Sequence, residues 1–342
     1  MALAVTENVV KTERHTTSYL ACGPEDAPVI IFVHGWPELS VSWRHQLPCF
    51  ASLGFRAIAP DMRGYGRSTV YKRHEDYALE HAVDDMVELL HALGREKAVW
   101  VGHDWGSPVV WGMASHHPDK CFGVANLCVP YFPKGFSPQS LLPLIDRSTY
   151  PEAEFPAGQW EYQLFYEENF EKARKTFEAD ARNTVKALFR KGRPEGKRKP
   201  ARTACVRKDG GWFGGADRAP DLPIDLDVLT EEDLDKYVGA LKVNGFFGPG
   251  SWYMNHARNL AFAKKAADGG KLRLPVLFLH GDYDYTCETM VSGLAEPMRA
   301  ACANLTEVVV QSGHWMAQEK PAAVNAALAK WLADQLPDLW VR

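Results

Sequence analysis

The stretch Gly102-His103-Asp104-Trp105-Gly106 lies between a buried-strand pattern, AVWVG (98–102), and an apolar helix pattern that begins at Val109. A small residue on each side of the central triplet permits a turn too sharp for larger side chains. The turn presents Asp104 at the N-terminus of the helix, where the helix dipole stabilises an anion by roughly 0.3–1 kcal/mol. Matches of five residues also arise by chance, but the position between strand and helix favours a nucleophile at Asp104.

The residue type at this turn restricts the chemistry. An aspartate is ionised at neutral pH and attacks carbon directly, forming an ester of its own carboxylate. Water must then break that ester, so the site also needs a general base. A serine esterase is excluded at this position because Ser107 lies off the apex of the turn.

Strand and helix patterns alternate on both sides of the turn. The other short apolar runs are PVIIFV (28–33), RAIAP (56–60), FGVANLCV (122–129), PVLFLHG (275–281) and TEVVVQ (306–311). Residues 78–93 carry apolar side chains at helical spacing, and a final helix is predicted from about Ala322 to Leu336. This alternation predicts an α/β fold, with a mostly parallel central sheet and helices on both faces.

The strand pattern stops between Val129 and Leu274, where aromatic, proline and charged residues dominate. Helices are predicted over residues 161–189 and 229–246. Thr230 is a candidate N-cap of the second, with Asp233 three residues later. We therefore expect three segments along the chain. Residues 1–129 and 251–342 form the two parts of the core, and 130–250 form an inserted helical cap.

A candidate base follows the last predicted strand. His314 stands in Ser-Gly-His-Trp (312–315), and Asp282 and Asp284 follow the strand before it. Loops after parallel strands gather at one edge of a sheet, so an acid there can orient His314 and stabilise its cation. Asp284 is favoured over Asp282, which directly follows His-Gly and can structure the turn instead.

The motif His-Gly-Trp-Pro (34–37) follows the first predicted strand. In this kind of fold, a backbone N–H from that loop and the N–H after the nucleophile hold a developing oxyanion. The backbone amides of Trp36 and Trp105 are the candidates.

Composition excludes several functional classes. The net charge is −4 over 342 residues, which gives no overall attraction to nucleic acid or membranes. Seven cysteines are scattered singly without a Cys-x-x-Cys pair, which indicates reduced thiols and argues against structural zinc. The expected ester chemistry at Asp104 requires neither a metal nor an organic cofactor. The N-terminal residues lack a signal-peptide pattern, and no apolar run approaches the ~20 residues of a membrane span. We therefore expect a cytoplasmic protein.

One segment is strongly basic. Residues 190–208 contain nine Lys or Arg residues. The expected structure is a solvated, mobile loop of the cap, because a nucleic-acid-binding segment would interleave aromatic residues with the charges.

Taken together, the motifs resemble the soluble epoxide hydrolases of the α/β-hydrolase fold, and fungal members especially. The matching stretches, in the family's order, are HGWP (34–37), DMRGYGRS (61–68), GHDWGS (102–107), YQLF (162–165), SWY (251–253), HGDYDYTC (280–287) and GHWMAQEKP (313–321). The resemblance implies Asp104 as nucleophile, His314 as base and Asp284 as the residue that orients it. It assigns no catalytic role to DMRGYGRS.

The resemblance also implies two cap tyrosines, Tyr162 and Tyr253, that hold the epoxide oxygen. The ring oxygen leaves carbon as an alkoxide, to which a phenol can donate a proton. With Trp105, these two side chains are the expected substrate-binding residues. Tyr166 and Tyr237 remain alternatives, because cap tyrosines can also simply line a pocket.

Two other functions stay open. A haloalkane dehalogenase shares the aspartate, the histidine and the tryptophan after the nucleophile, but a leaving halide needs N–H donors and not phenols. A non-catalytic small-molecule receptor on the same fold is the alternative from another class. The expected partner is a small-molecule epoxide, and the expected assembly is a monomer or homodimer.

Overall fold

A central eight-stranded sheet organises the protein. The computed structural model describes residues 4–340, so the ends of the predicted core segments, 1–3 and 341–342, lie outside the described residues. The strands are β1 (Thr6–Lys11), β2 (Thr16–Cys22), β3 (Val29–Val33), β4 (Arg56–Pro60), β5 (Ala98–His103), β6 (Cys121–Leu127), β7 (Leu272–Gly281) and β8 (Cys302–Val310).

The strand order is β1-β2-β4-β3-β5-β6-β7-β8. Pairing is parallel from β4 through β8, whereas β2 is antiparallel to both β1 and β4. The predicted, mostly parallel sheet is confirmed, and all six predicted strands are present. The run at 28–33 forms the third strand and not the first. Two strands that the apolar patterns do not predict, β1 and β2, precede it. Strand β1 is an edge strand with largely exposed, polar side chains, so it lacks an apolar run.

Helices cover this sheet. Outside the segment between β6 and β7 they are α1 (Gln46–Ser52), α2 (Leu79–Ala92), α3 (Gly106–His116), α10 (Glu296–Ala301), α11 (Met316–Glu319) and α12 (Pro321–Gln335). Helix α1 packs on α12, and α2 packs on α3. The predicted helices at 78–93 and from Ala322 are α2 and α12.

Between β6 and β7 the described chain contains helices and turns but no strand. Its helices are α4 (Pro138–Leu141), α5 (Glu161–Glu178), α6 (Ala181–Leu188), α7 (Glu231–Asn244), α8 (Phe247–Ser251) and α9 (His256–Ala263). The predicted N-cap of α7 is present: the Thr230 hydroxyl accepts the Asp233 N–H, and the Asp233 carboxylate accepts the Thr230 N–H. Helix α5 is kinked at Asn169, where φ is −139° and ψ is 39°.

Several charges of the basic segment, which the sequence predicts to be a solvated, mobile loop of the cap, form ion pairs. Arg207 binds Glu161 and Glu168, and Lys208 binds Glu154. These contacts link the end of the segment to α5 and to the turn that contains Glu154, and its mobility stays a prediction. Among residues 4–340, no helix combines the length and apolar character that crossing a membrane requires.

A buried ion pair anchors the loop after β4. Arg63 donates two hydrogen bonds to Asp85 on α2, at 2.7 and 2.8 Å, and both side chains are almost fully buried. Arg63 and Asp85 thus form a bidentate guanidinium–carboxylate ion pair, which is among the stronger charged contacts in proteins.

We expect Asp85→Ala to lower the free energy of unfolding by about 3–5 kcal/mol, because it leaves the Arg63 cation buried without its partner. Urea denaturation followed by circular dichroism measures the change. The control is Arg73→Ala, which removes an exposed pair with Asp76 and should cost no more than ~1 kcal/mol. Equal losses in the two variants would contradict this account of Arg63.

Candidate active site

The turn between β5 and α3 is as tight as the sequence indicates. Asp104 adopts a left-handed backbone conformation with φ +48°, which is strained for a residue with a side chain. A Cβ atom on Gly102 would lie 2.6 Å from Asn126 Oδ1, and one on Gly106 would lie 2.1 Å from the Val33 carbonyl oxygen. Glycine is therefore required at both positions, and the turn places the Asp104 carboxylate beyond the carboxyl edge of the sheet.

The loop after β3 supplies a hydrogen bond to this carboxylate. The Trp36 N–H donates to Asp104 Oδ1 at 2.6 Å. The Trp105 nitrogen lies close by: a Cβ on Gly35 would be 2.5 Å from both Trp105 N and Asp104 Oδ1. Of the two predicted oxyanion donors, the Trp36 N–H therefore binds this carboxylate oxygen, and the Trp105 nitrogen lies on the same side of Gly35.

His314 lies between two carboxylates. Its Nδ1 is 2.7 Å from Asp284 Oδ2, and its Nε2 is 3.4 Å from Asp104 Oδ2. Asp284 is held in turn by the Cys287 N–H, which donates to Oδ1 at 3.0 Å. The alternative acid, Asp282, accepts a hydrogen bond from Lys197 at 2.8 Å. Of the two candidate acids, Asp284 is the one that contacts His314.

The charges in this cluster depend on one another. Burial disfavours the His314 cation, but Asp284 and Asp104 together hold the pKa of His314 well above its usual value. Burial would raise the pKa of Asp284, yet the neighbouring His314 ring and the Cys287 N–H hold it below its usual value. These contacts favour the imidazolium form of His314 in the resting site.

The two predicted tyrosines face this cluster from the chain between β6 and β7. Tyr162 lies in the first turn of α5, and Tyr253 lies in a short 3₁₀ turn at Trp252–Met254. Their ring centroids are 5.5 Å apart, and the Tyr253 ring packs edge-on against Trp105 at 5.2 Å. Burial raises the pKa of both phenols, and the Asp104 charge raises them further. Both hydroxyls are therefore protonated and able to donate.

The alternative tyrosines occupy different surroundings. Tyr237 lies away from this group, with its hydroxyl 2.5 Å from Ser42 Oγ. Tyr166 stacks face to face on Tyr253, with centroids 4.5 Å apart and an interplanar angle of 2°. The buried Tyr166 hydroxyl has no hydrogen-bond partner in the described protein, so it stays an alternative donor.

The sequence patterns did not predict a buried pair that supports the site. His103 Nδ1 is 2.7 Å from Glu38 Oε2, and His103 Nε2 is 2.7 Å from the His314 carbonyl oxygen. Glu38 Oε2 also accepts the Gly35 N–H at 3.0 Å, and His103 holds the pKa of the buried Glu38 at about 2 against the effect of burial. This pair ties the loop after β3 to the loop that carries His314. The feature of the sequence that could have indicated this pair is Glu38, an acidic residue directly after HGWP.

Two thiols also lie near His314. Cys128 Sγ donates to the His314 carbonyl oxygen at 3.3 Å, and the Cys287 thiol lies within 4.8 Å of the His314 and Asp284 ligand atoms. Burial raises the pKa of Cys287 to about 12 and that of Cys128 well above its usual value. Both are neutral thiols, whereas metals bind the thiolate form.

Comparison with models of known protein families identifies the fold family of the chain. The family model for the alpha/beta hydrolase fold matches residues 28–321. The chain therefore belongs to the α/β-hydrolase fold family, which agrees with its sheet, its sharp turn at Asp104 and its order of aspartate, acid and histidine.

Individual relatives narrow the assignment. Epoxide hydrolase A of Mycobacterium tuberculosis is 35% identical over 332 residues, covering 96% of this chain and 98% of that protein. Bifunctional epoxide hydrolase 2 of Sus scrofa is 34% identical over 89% of this chain, which spans only 51% of that longer protein. The crystal structure of epoxide hydrolase A from Mycobacterium thermoresistibile aligns with a TM-score of 0.79 at 30% identity, covering 96% of this chain and 98% of that one. Within the α/β-hydrolase fold, the chain is a member of the epoxide hydrolase family.

Proposed function

We propose that the protein hydrolyses epoxides to vicinal diols through an ester on Asp104. The observation that carries the proposal is the pair of buried, protonated phenols, Tyr162 and Tyr253, next to an aspartate nucleophile. A leaving epoxide oxygen needs a proton, and these phenols are placed to give one. The names of the most similar relatives support the same reaction.

In the first step, Asp104 Oδ2 attacks an epoxide carbon while Oδ1 stays bound to the Trp36 N–H. A carbon–oxygen bond forms to Oδ2, and the ring carbon–oxygen bond breaks. The ring oxygen leaves as an alkoxide and takes a proton from Tyr162 or Tyr253. The product of this step is a hydroxyalkyl ester of Asp104.

In the second step, the His314 imidazolium first gives its proton to the tyrosinate left by the first step. The neutral His314 ring then takes a proton from water, and the hydroxide adds to Asp104 Cγ. The resulting negative charge lies on Oδ1, where the amides of Trp36 and Trp105 stabilise it. The ester bond then breaks, and the leaving alkoxide takes the proton from His314. The proton left on the Asp104 carboxyl passes to His314, which restores the imidazolium and the carboxylate of the resting enzyme.

The order of the two steps follows from the charges. Because the Asp104 carboxylate helps to raise the pKa of His314, converting it to a neutral ester lowers that pKa. His314 therefore becomes a base only after the ester has formed, when a base is needed. Asp284 keeps the ring oriented through its contact with Nδ1.

We also propose that residues 130–250 act as a cap over the core formed by 1–129 and 251–342. The helices between β6 and β7 carry Tyr162 to the carboxyl edge of the sheet. Helix α9, after residue 250, packs on α2 of the core, which supports the second boundary.

The test is intact-protein mass spectrometry of His314→Gln after incubation with styrene oxide or a chloroalkane. We expect the mass to rise by that of the whole epoxide, on the Asp104 peptide, because alkylation proceeds while ester hydrolysis stalls. Wild-type enzyme should show no stable adduct and should release diol. The double variant Asp104→Asn/His314→Gln is the control and should gain no mass.

The alternatives give different results in the same experiment. An adduct with the chloroalkane alone, lacking chlorine, would assign the protein to the dehalogenases. The absence of any adduct, together with no diol from wild-type enzyme, would favour a receptor. Wild-type turnover in His314→Gln would contradict the role given to His314.

A further inference from the structure

Trp212 lies inside the aromatic cluster that surrounds the proposed catalytic groups. Its ring stacks on Trp36 with centroids 5.8 Å apart, and it meets Tyr162 at 5.8 Å and Phe177 at 5.3 Å. The side chain is only 8% exposed. These are contact distances between rings, so Trp212 is a wall of the space next to Tyr162.

The proposed chemistry fixes where a substrate must lie. The reacting carbon approaches Asp104 Oδ2, and the epoxide oxygen approaches Tyr162 and Tyr253. A substituent that extends from the epoxide past Tyr162 meets Trp212, because the two rings are already in contact. The space for such a substituent therefore depends on the size and position of the residue at 212.

The wall is built on an unusual piece of chain, Gly-Gly-Trp-Phe-Gly-Gly (210–215). Phe213 has φ +56° and Gly214 has φ +71°, so two successive residues adopt the left-handed conformation. That conformation is unfavourable for phenylalanine and easy for glycine. The Trp212 indole N–H has no hydrogen-bond partner in the described protein. Ring packing thus holds Trp212 in place, with no hydrogen bond from its indole.

An open cleft lies near this segment. It has a volume of about 540 Å³, and its lining includes Phe165, Asn169, Arg207 and Gly210. Helix α5 contributes Phe165 to the cleft and Tyr162 to the catalytic group, and Gly210 stands two residues before Trp212. The cleft and the catalytic group thus lie on neighbouring stretches of the same chain segments.

We propose that Trp212 is a specificity-determining residue that limits substrates to compact epoxides by occupying the space beside Tyr162 and Trp36. The inference rests on the proposed function, and it narrows the substrate class to epoxides whose substituents fit without displacing the indole. A smaller residue at 212 leaves room beside Tyr162 for a second bulky substituent.

The test compares kcat/KM for styrene oxide, which carries one ring, with that for trans-stilbene oxide, which carries two. We expect Trp212→Leu to raise the ratio of stilbene oxide to styrene oxide at least about tenfold, the order of discrimination that pocket size alone supplies. Trp212→Phe should shift the ratio in the same direction by less, and it provides the measurement if the leucine variant does not fold.

Phe213→Leu is the matched control. It changes the next residue of the same strained turn, and Phe213 contacts Phe177 without an aromatic contact to Trp36 or Tyr162. We expect its ratio to equal that of wild type. An unchanged ratio in both Trp212 variants, with styrene oxide still hydrolysed, would overturn the inference and leave the proposed function intact. If wild-type enzyme hydrolyses neither epoxide and His314→Gln forms no adduct, the proposed function and this inference fall together.

Discussion

Asp104→Asn should reduce diol formation from styrene oxide by at least roughly 10⁴-fold, since losing a covalent nucleophile has effects of this size or larger. The neutral amide oxygen is a poor nucleophile, so the ester cannot form. The geometry should survive, because an asparagine oxygen can still accept the Trp36 N–H that binds Asp104 Oδ1 at 2.6 Å. Chromatographic measurement of diol under single-turnover conditions gives the rate.

Asp282→Asn is the control for this result. Asp282 lies in the loop after β7, and its contact is with Lys197. The control should keep activity close to that of wild type. Substantial turnover in Asp104→Asn would place the nucleophile elsewhere, and a large loss in Asp282→Asn would show that this loop tolerates no change of charge.

The double variant Tyr162→Phe/Tyr253→Phe should slow ester formation by roughly 10³-fold or more, within the range that general acids contribute. Phenylalanine keeps the ring packing, including the 5.5 Å contact between the two residues, but removes both proton donors. Each single variant should slow ester formation by a smaller factor, because one phenol remains to donate the proton. Rapid-quench measurement of the Asp104 adduct in a His314→Gln background isolates this step from ester hydrolysis.

Two further tyrosines make this experiment specific. Tyr237→Phe removes a buried hydroxyl that bonds to Ser42, and it should leave the rate of ester formation unchanged. Tyr166→Phe tests the alternative donor that stacks on Tyr253. If Tyr166→Phe slows ester formation as much as the double variant does, Tyr166 is the proton donor. An undiminished rate in the double variant would favour a leaving group that needs no proton, as in the dehalogenases.

Much of the framework was predictable because it rests on local rules. The glycines at 102 and 106 are required by the turn itself, and the structure shows backbone atoms where a Cβ atom would have to lie. The apolar runs of the parallel strands were predictable because buried strands need continuous apolar residues. Strand β1 was missed because this exposed edge strand has no such run. Strand β2 is largely buried, but it begins with Thr-Thr-Ser (16–18), so it also lacks a continuous apolar run.

The choice between Asp282 and Asp284 shows the limit of local reasoning. The two residues are two positions apart in the same loop, and residue type gives both the same chemistry. The folded loop turns Asp284 toward His314, where it is buried, and leaves Asp282 bonded to Lys197. Similarly, Glu38 and His103 are 65 positions apart in sequence. Their side chains form a hydrogen bond only because the pairing of β3 with β5 brings the two segments together.

The class of fold, the sharp turn at Asp104, and the order of aspartate, acid and histidine follow from the sequence alone, because these features depend on backbone sterics and short-range apolar patterns. The contacts among side chains from distant segments form only in the folded chain. Folding places Tyr162 beside Tyr253, sets Trp212 against Trp36, and brings two carboxylates to one imidazole. The physical reason is that such contacts, and the pKa shifts they cause, depend on distances in space that sequence separation does not encode.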